Sequence, residues 1–280
     1  MNHIILLSLI LYLFFSVSIR AQKTDSVSSL IKEYDENRFI FSAGGFISGV
    51  NSGVRIGSKQ LGAGLDINLE DALGLDATNF IFRLNSMYVF GKKRRHGIKG
   101  SYFAFLRSAY KKLETEIEFE DVIYPIGTEL NSTFNFSIIK LAYDYAFFAD
   151  DRINMGLSAG LYIMPITFSI TVVGEPKNQI ADFIAPLPYA GLRSDFKILP
   201  KLFLKQGMDV LYVKFDNYSG AILDINIRIE HNTWKHFGFG GGLDFYKVMV
   251  RSETNSGSYD FVGNVQISYS GVLLYAKYYF

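Results

Sequence analysis

The sequence contains no cysteine, which excludes a disulfide framework, an iron–sulfur centre and a thiolate zinc site. Proline is scarce, at 6 in 280 residues, and tryptophan occurs once. Neither sign of charge is in excess: 28 Lys and Arg face 27 Asp and Glu. Removing residues 1–21 as a leader takes away only Arg20 and leaves 27 against 27. A neutral chain lacks the basic surface of a general nucleic-acid binder. Long apolar runs are also missing: beyond residue 19 none approaches the roughly 18 residues of a spanning helix. Aromatic residues are what the chain has in quantity, 25 Phe and 18 Tyr, beside 25 Gly. That composition without helical spans points to an all-β chain in a membrane.

Residues 1–21 read as a secretory signal. Ile4 to Ile19 is apolar except for Ser8, Ser16 and Ser18, and Ala21 supplies a small residue before Gln22, Lys23, Thr24 and Asp25. An apolar helix followed by an extended cleavable segment is what export requires. The first residues carry no Lys or Arg and Ile19 is not small, so an uncleaved anchor is the alternative. Residues 22–37 are polar and charged and are expected to form a short periplasmic arm. Residues 38–280 form the third region, an outer-membrane β-barrel.

From Phe39 onward the dominant period is two. Leu223, Ile225, Ile227 and Ile229 alternate with Asp224, Asn226 and Arg228, and Glu230 continues the polar row. Successive side chains of a strand point to opposite faces, so this is an apolar wall backed by a charged one. The same alternation opposes Phe80, Phe82 and Leu84 to Arg83 and Asn85, and Ile139, Leu141, Tyr143 and Tyr145 to Lys140 and Asp144. A soluble sandwich alternates too. Loop length separates the two: short turns at 91–96, 149–152, 199–201 and 232–235 interleave with longer connections at 58–76, 113–131, 174–188, 216–220 and 251–263. Segregated loop lengths mark membrane barrels. Phe90, Phe147, Phe148, Trp234 and Phe237 lie beside the short turns, where a lipid–water boundary favours amphipathic rings. The last strand ends in Tyr278, Tyr279 and Phe280; Tyr278 and Phe280 are read as an insertion signal for barrel-assembly machinery.

Four short turns define five hairpins and ten strands, at 39–49, 78–90, 97–110, 133–148, 153–166, 189–198, 202–215, 221–231, 237–250 and 264–280. Twelve is the alternative, if the first long loop hides a hairpin. Extra loop strands are expected around 54–56 with 65–69, and 115–119 with 126–130. Unpaired backbone in hydrocarbon costs several kcal/mol per group, so the first and last strands must pair.

If the apolar rows face lipid, Arg83, Lys99, Arg107, Lys140, Arg193, Lys197, Lys205, Arg228 and Lys277 face inward. Asp144, Asp195, Asp209, Asp224, Glu230 and Asp244 join them. Such charges must largely pair. Ion pairs and water are expected to fill a small barrel; a narrow channel with slight anion preference is the alternative. Gly238, Gly240 and Gly242 lie in a strand and are expected to give room on the inner wall.

His3 lies in the leader, and His96, His231 and His236 map to short turns, away from any Ser–His–acid set at the outer end. No phosphate loop, dinucleotide fingerprint, GxSxG elbow or HExxH is present, and no cofactor or metal site is assigned. The long loops are acid-rich. Glu114, Glu116, Glu118 and Glu120 alternate before Asp121, and Asp66, Glu70, Asp71 and Asp76 crowd the first loop. These carboxylates suit a divalent cation at the lipopolysaccharide layer, or hydrolysis through Asp66, Glu70 or Asp71; a solvated loop face is the plainer account.

Four stretches, LDINLEDALGLD (65–76), YPIGTELNSTF (124–134), KLAYDYAFF (140–148) and APLPYAGLR (185–193), resemble in their order an uncharacterised family of bacterial outer-membrane β-barrel proteins. The resemblance spans roughly 39–280 and implies the barrel and the outer membrane; it implies no activity, ligand or catalytic residue. The leading expectation is therefore a transmembrane antiparallel up-and-down barrel without enzymatic activity. It would serve as a structural component or narrow passive channel among outer-membrane lipid and lipopolysaccharide. An outer-membrane hydrolase and a soluble secreted β-sandwich are the competing readings.

Overall fold

A computed structural model describes residues 38–56, 67–119, 122–175, 178–215, 218–252 and 263–280. The expected leader and the whole of the arm lie outside them, as do Asp66, Glu120 and Asp121. Ten long strands form the wall: β1 (Phe39–Ile56), β3 (Thr78–Phe90), β4 (His96–Lys112), β7 (Glu129–Ala149), β8 (Ile153–Val172), β9 (Asn178–Leu199), β10 (Leu202–Phe215), β11 (Tyr218–His231), β12 (Phe237–Ser252) and β13 (Gly263–Tyr279). Each pairs antiparallel with the next, and β13 returns to β1 from Ile40 opposite Tyr279 to Ile56 opposite Gly263. Closure removes the sheet edges that hydrocarbon would not tolerate. At the short-turn end, Phe39 N donates to Phe280 O at 2.9 Å and Phe280 N to Phe39 O at 3.0 Å, pinning the two chain ends together.

The twelve-strand alternative is not realised. Among the described residues, the first long loop contributes β2 (Ile67–Asn68), two residues that pair with Gly53 and Val54, followed by a one-turn helix, α1 (Leu69–Leu73). The second loop holds a small hairpin of β5 (Ile117–Phe119) and β6 (Val122–Tyr124). Residues 126–130, expected to pair there, instead form a turn and the start of β7.

Most strands run further toward the long-loop end than expected. β9 has 22 residues, β7 has 21 and β8 has 20, against the roughly 9–11 that cross a bilayer. The alternation changes partner along the way. Outside β7, the polar Asn131, Thr133, Asn135 and Ser137 give way to Ile139, Leu141, Tyr143, Tyr145 and Phe147; inside, Phe134, Phe136 and Ile138 give way to Lys140, Ala142 and Asp144. The switch falls between adjacent Ile138 and Ile139. β8 switches near Ile163 and Met164, with Pro165, Thr167, Ser169 and Thr171 outside beyond it. β13 switches at Val272 and Leu273. Below the switch the barrel is apolar outside and charged inside. Above it, the order is that of a soluble protein. The outer apolar row from Ile139 to Phe147 covers about 20 Å of height at the usual strand rise and tilt, most of the roughly 25 Å apolar band of a membrane barrel.

A bulge between Ala146 and Phe148 lets both Phe147 and Phe148 face outward at the short-turn rim, where Trp234 is also exposed. β10 pairs with β9 only as far as Val210 opposite Ala190, so the outer end of β9 is an edge on that side. Pro186 and Pro188 sit on that stretch, and proline is suited to an edge because it offers no N–H to an incoming strand.

Candidate functional site

The barrel interior has two tiers. The lower one is polar. Arg83 on β3 reaches across the lumen to Asp244 on β12, which also accepts from Arg228 at 3.3 Å. Asp144 on β7 is clamped by Lys99 at 2.5 Å and by Arg193 at 2.8 Å; Arg193 extends to Asp195 at 2.9 Å. Lys140 pairs with Asp209. Glu230 accepts from Lys277 at 2.6 Å, Lys205 at 2.8 Å and the Tyr275 hydroxyl at 2.6 Å. Lys197 lies over the Phe203 ring, 5.9 Å from its centroid. The glycine row of β12 makes this arrangement possible. A Cβ on Gly240 would meet the Tyr275 ring at 2.4 Å, and one on Gly242 would meet Arg228 Cγ at 2.7 Å. Between these groups lies a cavity of about 200 Å³, lined among others by Arg83, Lys99, Lys140, Arg193 and Glu230.

Asp209 and Asp224 are direct cross-strand neighbours on β10 and β11. The Tyr162 hydroxyl lies 2.7 Å from a carboxylate oxygen of each. One hydroxyl carries one hydrogen, so it cannot donate to both acids at once. Among the described residues Asp224 has no salt bridge, whereas Asp209 has Lys140.

The upper tier is apolar, and the sequence reading did not anticipate it. Phe105 stacks on Phe136 with ring centroids 4.5 Å apart, and Tyr246 stacks on Tyr269 at 4.9 Å. Phe103 meets Tyr269 edge-on at 5.8 Å and Phe46 does so at 5.5 Å. Tyr246 on β12 donates to Met164 Sδ on β8 at 3.2 Å, across the lumen. These buried side chains, from β1, β4, β7, β8, β12 and β13, form a continuous layer over the polar cavity. The interior thus carries an aromatic layer in addition to the ion pairs expected to cross it. The missed signal was the pair of adjacent apolar residues at each switch point.

The first long loop closes the top. Asn68 caps α1 by accepting from Asp71 N at 2.9 Å, and Gly74 ends it with φ 71°, a conformation glycine adopts freely. The helix buries Leu69 and Leu73. Glu70 accepts from Ser52 N at 2.8 Å, Ser52 Oγ at 2.7 Å and Arg107 Nη1 at 2.5 Å. Glu70, considered above as a hydrolytic carboxylate, is thus an ion-pair partner that latches the loop to the wall. Arg107 stands apart from the lower network, holding Glu70 and facing the Phe134 ring at 5.2 Å.

The histidines are dispersed at the short-turn end. His96 Nδ1 contacts the Tyr143 hydroxyl at 2.5 Å, His231 meets Thr233, and His236 meets Tyr279 O. No group of three metal-ligating side chains occurs among the described residues. Tyr278 and Phe280 project outward with ring centroids 5.6 Å apart, and Phe280 lies 5.2 Å from Phe39.

A closed cylinder with an apolar belt outside and buried charges within is an integral membrane β-barrel of the kind found in bacterial outer membranes. No protein-family model and no curated protein matches the sequence. In structure the chain is similar to the outer-membrane protease OmpT from Escherichia coli, with a TM-score of 0.51 at 10% identity over 88% of this chain and 97% of that one. It is also similar to the transport unit of the autotransporter AIDA-I from Escherichia coli (TM-score 0.42, 10% identity, 94% of each chain). The attachment invasion locus protein Ail of Yersinia pestis is a further similar structure (TM-score 0.36, 12% identity, 88% and 99%). The likeness to OmpT is one of fold.

Proposed function

We propose that this chain is a non-enzymatic, non-conducting barrel, a structural component of the outer membrane whose outer tier carries its loops clear of the lipid. The aromatic layer around Phe105, Phe136, Tyr246 and Tyr269 supports this reading best. It lies across the path that an ion would take, and its members are buried against one another. Most of the charges beneath are matched in ion pairs, as structural filling requires. Among the described residues the histidines lie at the opposite end from the loop acids, and Glu70 is engaged by Arg107, which favours a non-enzymatic role. Planar-bilayer recording tests the proposal. The refolded barrel is expected to show no conductance steps, and Phe105→Ala/Tyr269→Ala is expected to produce them. Regular steps from the unaltered protein would reject it.

A further inference from the structure

The turn between β3 and β4 reads Gly91, Lys92, Lys93, Arg94, Arg95, followed by His96: four consecutive cations in one short turn of the barrel. Its geometry is unusual for such residues. Arg94 N donates to Gly91 O at 3.2 Å, and Arg94 has φ 50°, the left-handed region that a non-glycine side chain seldom occupies. Glycine or asparagine would fill that position at less cost. Four like charges in one turn also repel each other. Among the described residues, no carboxylate pairs with Lys92, Lys93, Arg94 or Arg95. The local cost is left unrelieved among the described residues.

The surroundings say what relieves it. Arg38 accepts from Val89 through its carbonyl at 2.7 Å, which brings a fifth cation beside the turn. On the other side, the β7–β8 turn offers Asp150, Asp151 and Arg152. Asp150 is occupied there, accepting from Arg152 N at 2.8 Å and Ile153 N at 2.6 Å. The two remaining short turns add Lys201 and Lys235 and no acid. Among the described residues of a chain that is neutral overall, this end therefore carries an excess of cations, densest at β3–β4. Directly above the turn stands a belt of rings. Phe90 stacks with Tyr88 at 6.1 Å and with His96 at 5.6 Å, and His96 meets Tyr145 at 5.3 Å. Tyr88, Tyr143 and Tyr145 are exposed on the outer wall. Such a belt sits at headgroup depth. The cations thus hang at the level of the lipid phosphates, on the side where the short turns lie.

We infer that the β3–β4 turn is a docking site for anionic phospholipid headgroups of the leaflet facing the short turns. Lys92 and Lys93 contact the phosphates as point charges, and Arg94 and Arg95 supply forked donors to them. The aromatic belt fixes the depth at which they meet. Juxtamembrane cations attract anionic surfaces in this way, within a Debye length.

Native mass spectrometry of the full-length folded barrel, released from detergent containing equal phosphatidylglycerol and phosphatidylcholine, tests this. The unaltered protein should retain phosphatidylglycerol over phosphatidylcholine by about tenfold or more, and added salt should shrink that ratio. Lys92→Gln/Lys93→Gln/Arg94→Asn/Arg95→Gln should bring it close to one, whereas Lys201→Gln/Lys235→Gln should leave most of it. Folding of each variant is read from heat-modifiable gel migration. No preference in the unaltered protein, or a full preference in the quadruple variant, overturns the site. So does tight binding of soluble polyglutamate at the turn without any lipid preference, which would point to an acidic protein partner. The unaltered protein's salt response decides the matter even if the quadruple variant fails to fold.

Discussion

The bridge between Arg83 and Asp244 allows a sharp test of how the lower tier is held. Arg83 is 5% exposed and the Asp244 side chain 1%. Asp244→Asn keeps an acceptor oxygen but removes the charge, leaving the buried Arg83 guanidinium without its paired carboxylate, beside Asn85 Oδ1 at 3.3 Å and the Phe103 ring. An uncompensated buried charge costs about 3–5 kcal/mol. Arg83→Met is milder, because Asp244 keeps Arg228 at 3.3 Å. The double variant Arg83→Met/Asp244→Leu replaces the bridge by apolar groups, which is often close to neutral. Arg228 then loses its carboxylate, but it borders the cavity and is partly hydrated, so about 1–2 kcal/mol covers the change. Asp244→Asn takes the same carboxylate from Arg228, so that change is common to both, and the double variant should be more stable than Asp244→Asn alone by roughly 3 kcal/mol or more. Urea titration of barrels refolded into phosphatidylcholine vesicles, followed by gel migration and Trp234 fluorescence, measures all of these. Additive losses would refute the bridge as a coupled, water-poor pair.

Further expectations follow from the two walls and the plug. Ile227→Arg places a charge in the lipid-facing belt and should cost about 2–4 kcal/mol of membrane stability; Asn226→Arg, which faces the cavity, should be much milder in the same vesicle assay. Asp224→Asn should be tolerated within about 1 kcal/mol, because an amide N–H resolves the double demand on the Tyr162 hydroxyl. Asp209→Asn strips Lys140 of its carboxylate and should cost about 2 kcal/mol or more; equal losses would contradict that assignment. Glu70→Ala should release residues 67–75, seen as faster hydrogen exchange there while β11 and β12 stay protected. Deleting Phe280 should lower the yield of assembled barrel in vivo, while unchanged yield would remove it from the insertion signal.

Much of the wall was legible in the sequence because a lipid-facing row is a local signal. The bounds of β3, Thr78–Phe90, and of β10, Leu202–Phe215, coincide with the period-two segments read there. The inward charges were legible for the same reason, one residue out of phase. Their pairing was not: Arg83 and Asp244 lie 161 residues apart in the chain, and no local pattern encodes which cation meets which acid. Glu70 was read as a solvated or chemical loop acid for that reason. The outer half of β9, residues 178–188, reads as loop in the sequence, and the outer ends of β7 and β8, residues 129–132 and 167–172, lie beyond the period-two segments, because polar residues sit where the belt pattern would put apolar ones. Pro186 and Pro188 reinforced the error, since proline argues against an interior strand; the unpaired outer edge of β9 is what accommodates them.

The change of phase at Ile138 and Ile139 divides the molecule between two sources of cohesion. Beyond it, Phe134, Phe136, Ile166 and Phe168 are buried from water, each worth about 1.5–3 kcal/mol, and none of that gain depends on acyl chains. The seam shares in this, since Val54 stands opposite Val265 in the same region. The registry of first strand against last is thus written in a part of the chain that coheres in plain water. A bilayer that thins, or a detergent that replaces it, disturbs the lower cylinder while the upper one keeps the staves aligned.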